Sequence, residues 1–279
     1  MSRIYDALKK LEAERRGGKG NGAPGGNGGN GSGNGKRNGN GRSRWRWLFA
    51  RPPRREAEPR VTLDFRLGPE VEEAYQRLGT NLLVAPGPDA APVPRLLGVT
   101  ASRHGEGTTT TVAVFASILV RRRSGRVAVV EANLRTPSCD AVFGVARNGG
   151  FAELIEGRAE LPAVVQKTPI PNLFVVTGGQ TALGPSGLFD AEGVAVALTK
   201  LREAFDFVLF DLPPANVYSD ASILGPRLDA ALIVIEADRT RIPEVERTRR
   251  SLERVGVRLV GSVLNRRRDY IPAFLEELL

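Results

Sequence analysis

The chain has 279 residues, 41% of them hydrophobic, enough for one sizeable α/β domain with appendages. A single cysteine, Cys139, excludes an internal disulfide framework, and no stretch approaches the roughly 18 consecutive apolar residues of a membrane span. The formal charge of +9 is uneven: residues 1–60 carry 15 Lys and Arg against 5 Asp and Glu, while the other 219 carry 25 against 26, so the excess belongs to a tail and gives no warrant for a nucleic-acid-binding domain.

The chain opens on "MSRIYDALKKLEAERR", which has no apolar signal region, so the expected location is cytoplasmic. Ile4, Leu8 and Leu11 fall at helical spacing, and residues 1–16 read as a short amphipathic helix, either marginal by itself or used for docking. Residues 17–60 form a linker. Its Gly/Asn repeat (17–41) cannot bury enough apolar surface to offset ordering entropy and predicts a flexible tether. In "RSRWRWLFARPPRR" (42–55), Trp45, Trp47, Leu48 and Phe49 interleave with arginine. That pattern suits contact with an anionic membrane surface or a membrane partner. A solvated linker is the plainer alternative, and stacking on single-stranded nucleic acid is the weakest.

The folded domain is expected over 61–279. "RLLGVTAS" (95–102) reads as a strand running into the glycine loop "SRHGEGTTTT", and "TTTTVAVFASILVRR" (108–122) reads as a helix. Further apolar strands are expected at 126–131, 205–211, 229–237 and 257–265, with helices at about 188–204, 219–226 and 243–255. Near-continuous apolar strands alternating with helices predict an α/β fold, a doubly wound and mostly parallel sheet covered on both faces. Ligands of such sheets sit beyond the carboxyl ends of the strands. The glycine loop, Glu131, Asp211 and Asn265 all fall at such ends.

The chemistry follows from residue type. Backbone N–H groups around Gly105, Glu106, Gly107, Thr108 and Thr109, at the positive end of a helix, make an anion nest that needs no side-chain charge. Thr109 stands where a phosphate-binding loop places its Mg²⁺-ligating hydroxyl, and Asp211 ends a buried strand as a metal-orienting carboxylate would. The plainer alternatives are a tight turn for the glycines and a helix cap or loop ion pair for Asp211. His104 lacks metal-ligand companions and reads as an ordinary loop residue, and Cys139 as an inert thiol.

The ordered series "EAYQRLGTNLL", "ASRHGEGTTTT", "VAVVEANLRTPS", "FVLFDLPPANVYSDA" and "VLNRRRDYIPAF" resembles the bacterial tyrosine kinases of capsular and exopolysaccharide synthesis over about residues 70–275. It is less closely similar to the deviant-P-loop ATPases that position plasmids and division sites. The resemblance implies a P-loop domain that binds ATP or ADP with Mg²⁺. It also implies a place at the inner face of the plasma membrane beside a membrane-embedded polysaccharide chain-length or export protein, ring assembly, and autophosphorylation of a tyrosine-rich tail. By resemblance, Gly105 to Thr110 with Asn265 form the nucleotide site, Thr109 and Asp211 hold the metal, and Asp211, Glu131 and Arg135 are the catalytic group.

This chain departs from the family at the chemistry. The family's loop lysine is Thr108, and its two aspartates of the second nucleotide motif are Glu131 and Asn133. Of the Glu and two Arg in the family's ring-forming helix, Glu73 remains, while Gln76 and Gly79 stand at the arginine positions. The tail offers one tyrosine, Tyr270. Arg103 falls where the positioning ATPases carry an extra lysine and could replace part of the lost charge. Three readings stay open: a nucleotide-responsive scaffold with weakened nucleotide binding and weak or absent kinase activity, an active autokinase with an unusual loop, and a positioning ATPase.

Overall fold

The structure, a computed structural model, describes residues 67–83, 92–122 and 125–267. The expected N-terminal helix, the tether, the Trp/Arg segment 42–55 and Tyr270 lie outside the described residues.

Seven strands form one sheet: β1 Leu96–Ala101, β2 Val127–Glu131, β3 Val165–Lys167, β4 Leu173–Val176, β5 Phe207–Asp211, β6 Ala230–Glu236 and β7 Leu259–Asn265. Their order is β3-β4-β2-β5-β1-β6-β7, parallel throughout except where β3 pairs antiparallel with β4. Every residue of β1, β2 and β5 is buried, which is why these strands read as unbroken apolar runs.

Each face of the sheet has its own core. On one face, α1 (Pro69–Leu83), α2 (Thr108–Arg122) and α3 (Cys139–Phe143) pack through Leu82, Phe115, Leu119 and Phe143. Tyr75 of α1 stacks on Phe115 of α2 with ring centroids 6.4 Å apart. The other face is covered by α4 (Phe151–Ile155), α5 (Leu161–Val164), α6 (Pro185–Asp190), α7 (Gly193–Ala204), α8 (Asp220–Leu224) and α9 (Ile242–Arg254). The doubly wound, mostly parallel fold read from the sequence is the one observed.

The differences are local. The helix expected at about 188–204 is two helices, because the chain is extended at Ala191 (ψ 148°). The strands β3 and β4 and the short helices α3, α4 and α5 were not among the sequence expectations. Pairing aligns what matters for the site: Val99 and Glu131 both lie opposite Asp211, and Asn265 lies opposite Glu236. The carboxyl ends of β1, β2, β5, β6 and β7 therefore surround one edge of the sheet.

Candidate nucleotide-binding site

β1 leads into the loop 102–107, which turns with φ of 83° at Gly105 and 92° at Gly107 before α2 begins. Glycine at 107 is required twice over. The left-handed backbone disfavours any side chain, and a Cβ would lie 2.2 Å from Asn265 Nδ2. That carboxamide holds the loop: Nδ2 donates to the Glu106 carbonyl at 2.8 Å, and Oδ1 accepts from Arg266 N at 2.9 Å.

Glu106 is a second clamp. Its buried carboxylate accepts from Ser102 N at 2.7 Å and Arg103 N at 3.0 Å through Oε2, and from the Thr240 hydroxyl through Oε1. Two loop amides and the β6–α9 turn are thus tied to one charge. From Gly105 to Thr110, by contrast, no backbone N–H donates to an acceptor among the described residues. These open donors at the N-terminus of a fifteen-residue helix form an anion nest.

The nest opens on a cleft of about 220 Å³. The hydroxyl-bearing Thr108, Thr109, Thr110, Thr136 and Ser138 line it, with Asn133 and the apolar Leu212 and Pro214. Its two arginines are already paired, Arg103 with Glu244 at 3.5 Å and Arg266 with Glu236 at 2.7 Å. No lysine lines the cleft among the described residues.

At the base of α2 the Thr109 hydroxyl donates to Asp211 Oδ2 at 2.7 Å and stands 3.3 Å from Ser138 Oγ. Asp211 is fully buried, and its Oδ1 has no hydrogen-bond partner among the described residues. Burial pushes the Asp211 carboxyl up to about 7; the negative charge of Glu131 adds to the rise, and the Thr109 hydroxyl opposes it. The Cys139 thiol, 3.9 Å from Asp211 Oδ2, is held well above its usual range by burial first and by Glu131 and Asp211 next. A thiol kept protonated is a poor nucleophile.

Glu131 occupies the end of β2, but both of its oxygens are engaged. Oε1 accepts from Ser138 N at 2.5 Å and Cys139 N at 2.7 Å, and Oε2 accepts from Gly178 N at 2.8 Å. This carboxylate anchors two loops to the sheet. Asn133 closes a local turn, its Oδ1 accepting from Thr136 N at 3.3 Å and its Nδ2 donating to Thr136 Oγ1 at 3.0 Å.

Arg135 is fixed from three sides. Its guanidinium donates to both oxygens of the buried Asp220 at 2.7 and 2.9 Å and to Ser186 Oγ at 3.0 Å, and it lies 4.2 Å over the Tyr218 ring. The Asp220 hydrogen bonds push its pKa up further. Tyr218 in turn meets His104 edge to face at 5.4 Å, which links the phosphate loop to the Arg135 cluster.

The sheet therefore brings the glycine loop, Thr109, Asp211 and Asn265 together around one cleft. Glu131 lies beside this group with its oxygens taken by backbone, and Arg135 is absent from the cleft wall. Sequence reasoning missed the Glu106 clamp and the Asp220–Tyr218 support of Arg135. The stretch "VYSDA" carried both of the latter residues, yet nothing in their spacing reveals a partner 85 residues earlier.

No family model matches the chain. Among curated proteins it is 28% identical over 138 residues to CapB of Staphylococcus aureus, covering 50% of this chain and 60% of that one. It is 23% identical over 215 residues to the tyrosine-protein kinase CpsD of Streptococcus agalactiae, covering 77% of this chain and 91% of the relative. Among solved structures, the kinase domain of the Escherichia coli tyrosine kinase ETK superposes with a TM-score of 0.64 at 25% identity, over 72% of this chain and 79% of that domain.

Proposed function

From the family to which this chain belongs, the bacterial tyrosine kinases of capsule synthesis, we infer a nucleotide-responsive regulator of exopolysaccharide assembly or export whose phosphoryl transfer is weak or absent. One observation carries the reading: an open amide nest and an intact Thr109–Asp211 pair share a cleft with threonine where the family has lysine.

Binding is supported by what remains. Main-chain N–H groups at a helix start bind phosphate without depending on side-chain charge. A divalent cation also fits, because Asp211 Oδ1 is buried beside a hydroxyl-bearing helix start and has no partner among the described residues. Thr109 and Asp211 would hold it, and the cation would neutralise phosphate charge there. Asn265 shapes the loop through the Glu106 carbonyl, and by resemblance it would also meet the base.

Transfer is opposed by what is missing. Thr108 is neutral and cannot follow charge onto the leaving phosphates, where a supplied cation is worth about 10³–10⁵ in rate. The residues at the family's paired aspartates are committed elsewhere or uncharged. The oxygens of Glu131 accept three backbone N–H groups, and Asn133 carries no charge. Nucleotide would then act as a structural or regulatory ligand of weakened affinity.

The setting is carried over by resemblance: the inner face of the plasma membrane, a membrane-embedded chain-length or export protein as partner, and self-association; contact of residues 42–55 with anionic lipid rests instead on their interleaved tryptophans and arginines. Among the described residues no helix is long and apolar enough to cross a membrane.

Arg103 favours a second reading, an active autokinase. Its pair with Glu244 is about half exposed and worth little, so the guanidinium could turn to phosphate. Incubation with ATP and Mg²⁺ decides between them. The scaffold reading expects no tyrosine label on the protein; label that disappears on Asp211→Ala would establish the kinase.

A further inference from the structure

A groove of about 670 Å³ separates α1 from β7, the edge strand of the sheet, and bears on the molecule independently of the nucleotide reading. The helix contributes Val71, Ala74, Tyr75 and Leu78, which share one face at i, i+3, i+4 and i+7, and the strand contributes Val263 and Leu264. Val71 is 45% exposed and Leu264 57%. An apolar trough beside an edge whose second side pairs with no described strand is a surface that proteins ordinarily cover.

The chain itself carries a matching segment. β7 runs out through Arg266 and Arg267, both lining this groove, and twelve residues follow, "RDYIPAFLEELL" (268–279). In that sequence Ile271, Phe274, Leu275 and Leu278 recur at i, i+3, i+4 and i+7, the same spacing as the groove's helical wall. The charges also complement: the segment carries Asp269, Glu276 and Glu277 against one arginine, and Arg77, Arg266 and Arg267 stand among the groove's residues against the single acid Glu70. A segment tethered at the rim meets the groove at millimolar effective concentration, so a modest intrinsic affinity suffices.

We propose that residues 268–279 of the same chain cover the groove between α1 and β7. This acidic, leucine-rich segment is then a built-in cover for the sheet edge. Any partner that pairs with β7 or α1 must first displace it.

Disulfide trapping in the full chain tests this. Ala74, exposed on α1, is replaced by cysteine and combined in turn with Phe274→Cys, Leu275→Cys and Leu278→Cys; Cys139 is buried and stays out of the reaction. Under mild oxidation at least one pair is expected to close within a monomer, giving a faster-migrating band on a non-reducing gel. In Phe274→Asp/Leu278→Asp, amide exchange over 259–265 is expected to accelerate at least tenfold. Closure only as a covalent dimer would make a second copy the occupant and overturn the proposal. So would the absence of any closure together with unchanged exchange.

Discussion

The Thr109 hydroxyl donates to Asp211 Oδ2 at 2.7 Å while Oδ1 of the same carboxyl lies buried without a partner among the described residues. A fully buried carboxylate so incompletely satisfied is costly unless something else meets it, and its raised pKa is the measure of that cost.

The sign of the pH effect follows. The unfolded chain loses the Asp211 proton near its ordinary value of 3.8, and the folded protein holds it until about 7. Between those values the folded state binds more protons, so Asp211 lowers stability as pH rises through the window, and the loss levels off above it. Asp211→Asn should remove this slope and raise the Tm of the ligand-free protein at pH 8 by roughly 3–6 °C, the shift expected for one to two kcal/mol in a domain of this size. Thermal melts from pH 4 to 8 check it; parallel profiles for the two proteins would contradict it.

The same residue should make metal-assisted binding depend on pH. A cation favours ionised Asp211, so the gain in nucleotide affinity on adding Mg²⁺ should grow between pH 6 and 8 and vanish in Asp211→Asn. Titrations of ADP with and without Mg²⁺ at three pH values measure the gain directly. A Mg²⁺ gain retained in the variant would place the metal elsewhere.

Gly107 offers a test of the loop's shape. With φ at 92° and Asn265 Nδ2 only 2.2 Å from an added Cβ, Gly107→Ala must displace either the loop or the carboxamide that holds it. Nucleotide affinity should fall at least tenfold, with a loss of roughly 1–3 kcal/mol in stability from backbone strain. Calorimetric titration and chemical denaturation report the two effects separately.

The Arg135–Asp220 pair should respond asymmetrically. Asp220 is fully buried, whereas the Arg135 side chain is 28% exposed. Removing Arg135 strands a buried charge and should cost about 3–5 kcal/mol. Asp220→Ala leaves a cation that still reaches water and the Tyr218 face, so it should cost less. Denaturant unfolding of both single variants and the double variant tests the order; equal costs would mean that Tyr218 and Ser186 carry the site.

Much of this architecture is legible in the sequence because its central strands are buried on both faces. "LLGVTA", "VAVVE" and "FVLFD" can hardly be anything but interior strands, and a parallel sheet then sets their carboxyl ends side by side. That is how a loop at 102–107 and an aspartate at 211 can be assigned to one cleft. β3 and β4 escaped because "VQK" and "LFVV" are only three and four residues long and carry no period. The site's finer wiring escaped for another reason. Charge and position at a strand end assign Glu131 to the cleft, but its extra methylene lets the carboxylate reach the amides of Ser138, Cys139 and Gly178. Glu106 enters the sequence reading only through its backbone N–H in the anion nest, yet its carboxylate bonds to Thr240, 134 residues away. Buried polar partners that distant leave no local pattern.

The central claim is that backbone amides, together with Thr109 and Asp211, hold a nucleotide where lysine is missing. Calorimetric titration of the full chain with ATP and Mg²⁺ tests it most directly. The account predicts saturable one-to-one binding, weaker than when lysine is restored by Thr108→Lys and reduced on Asp211→Ala. No heat at millimolar ATP, with no gain in thermal stability, would contradict it.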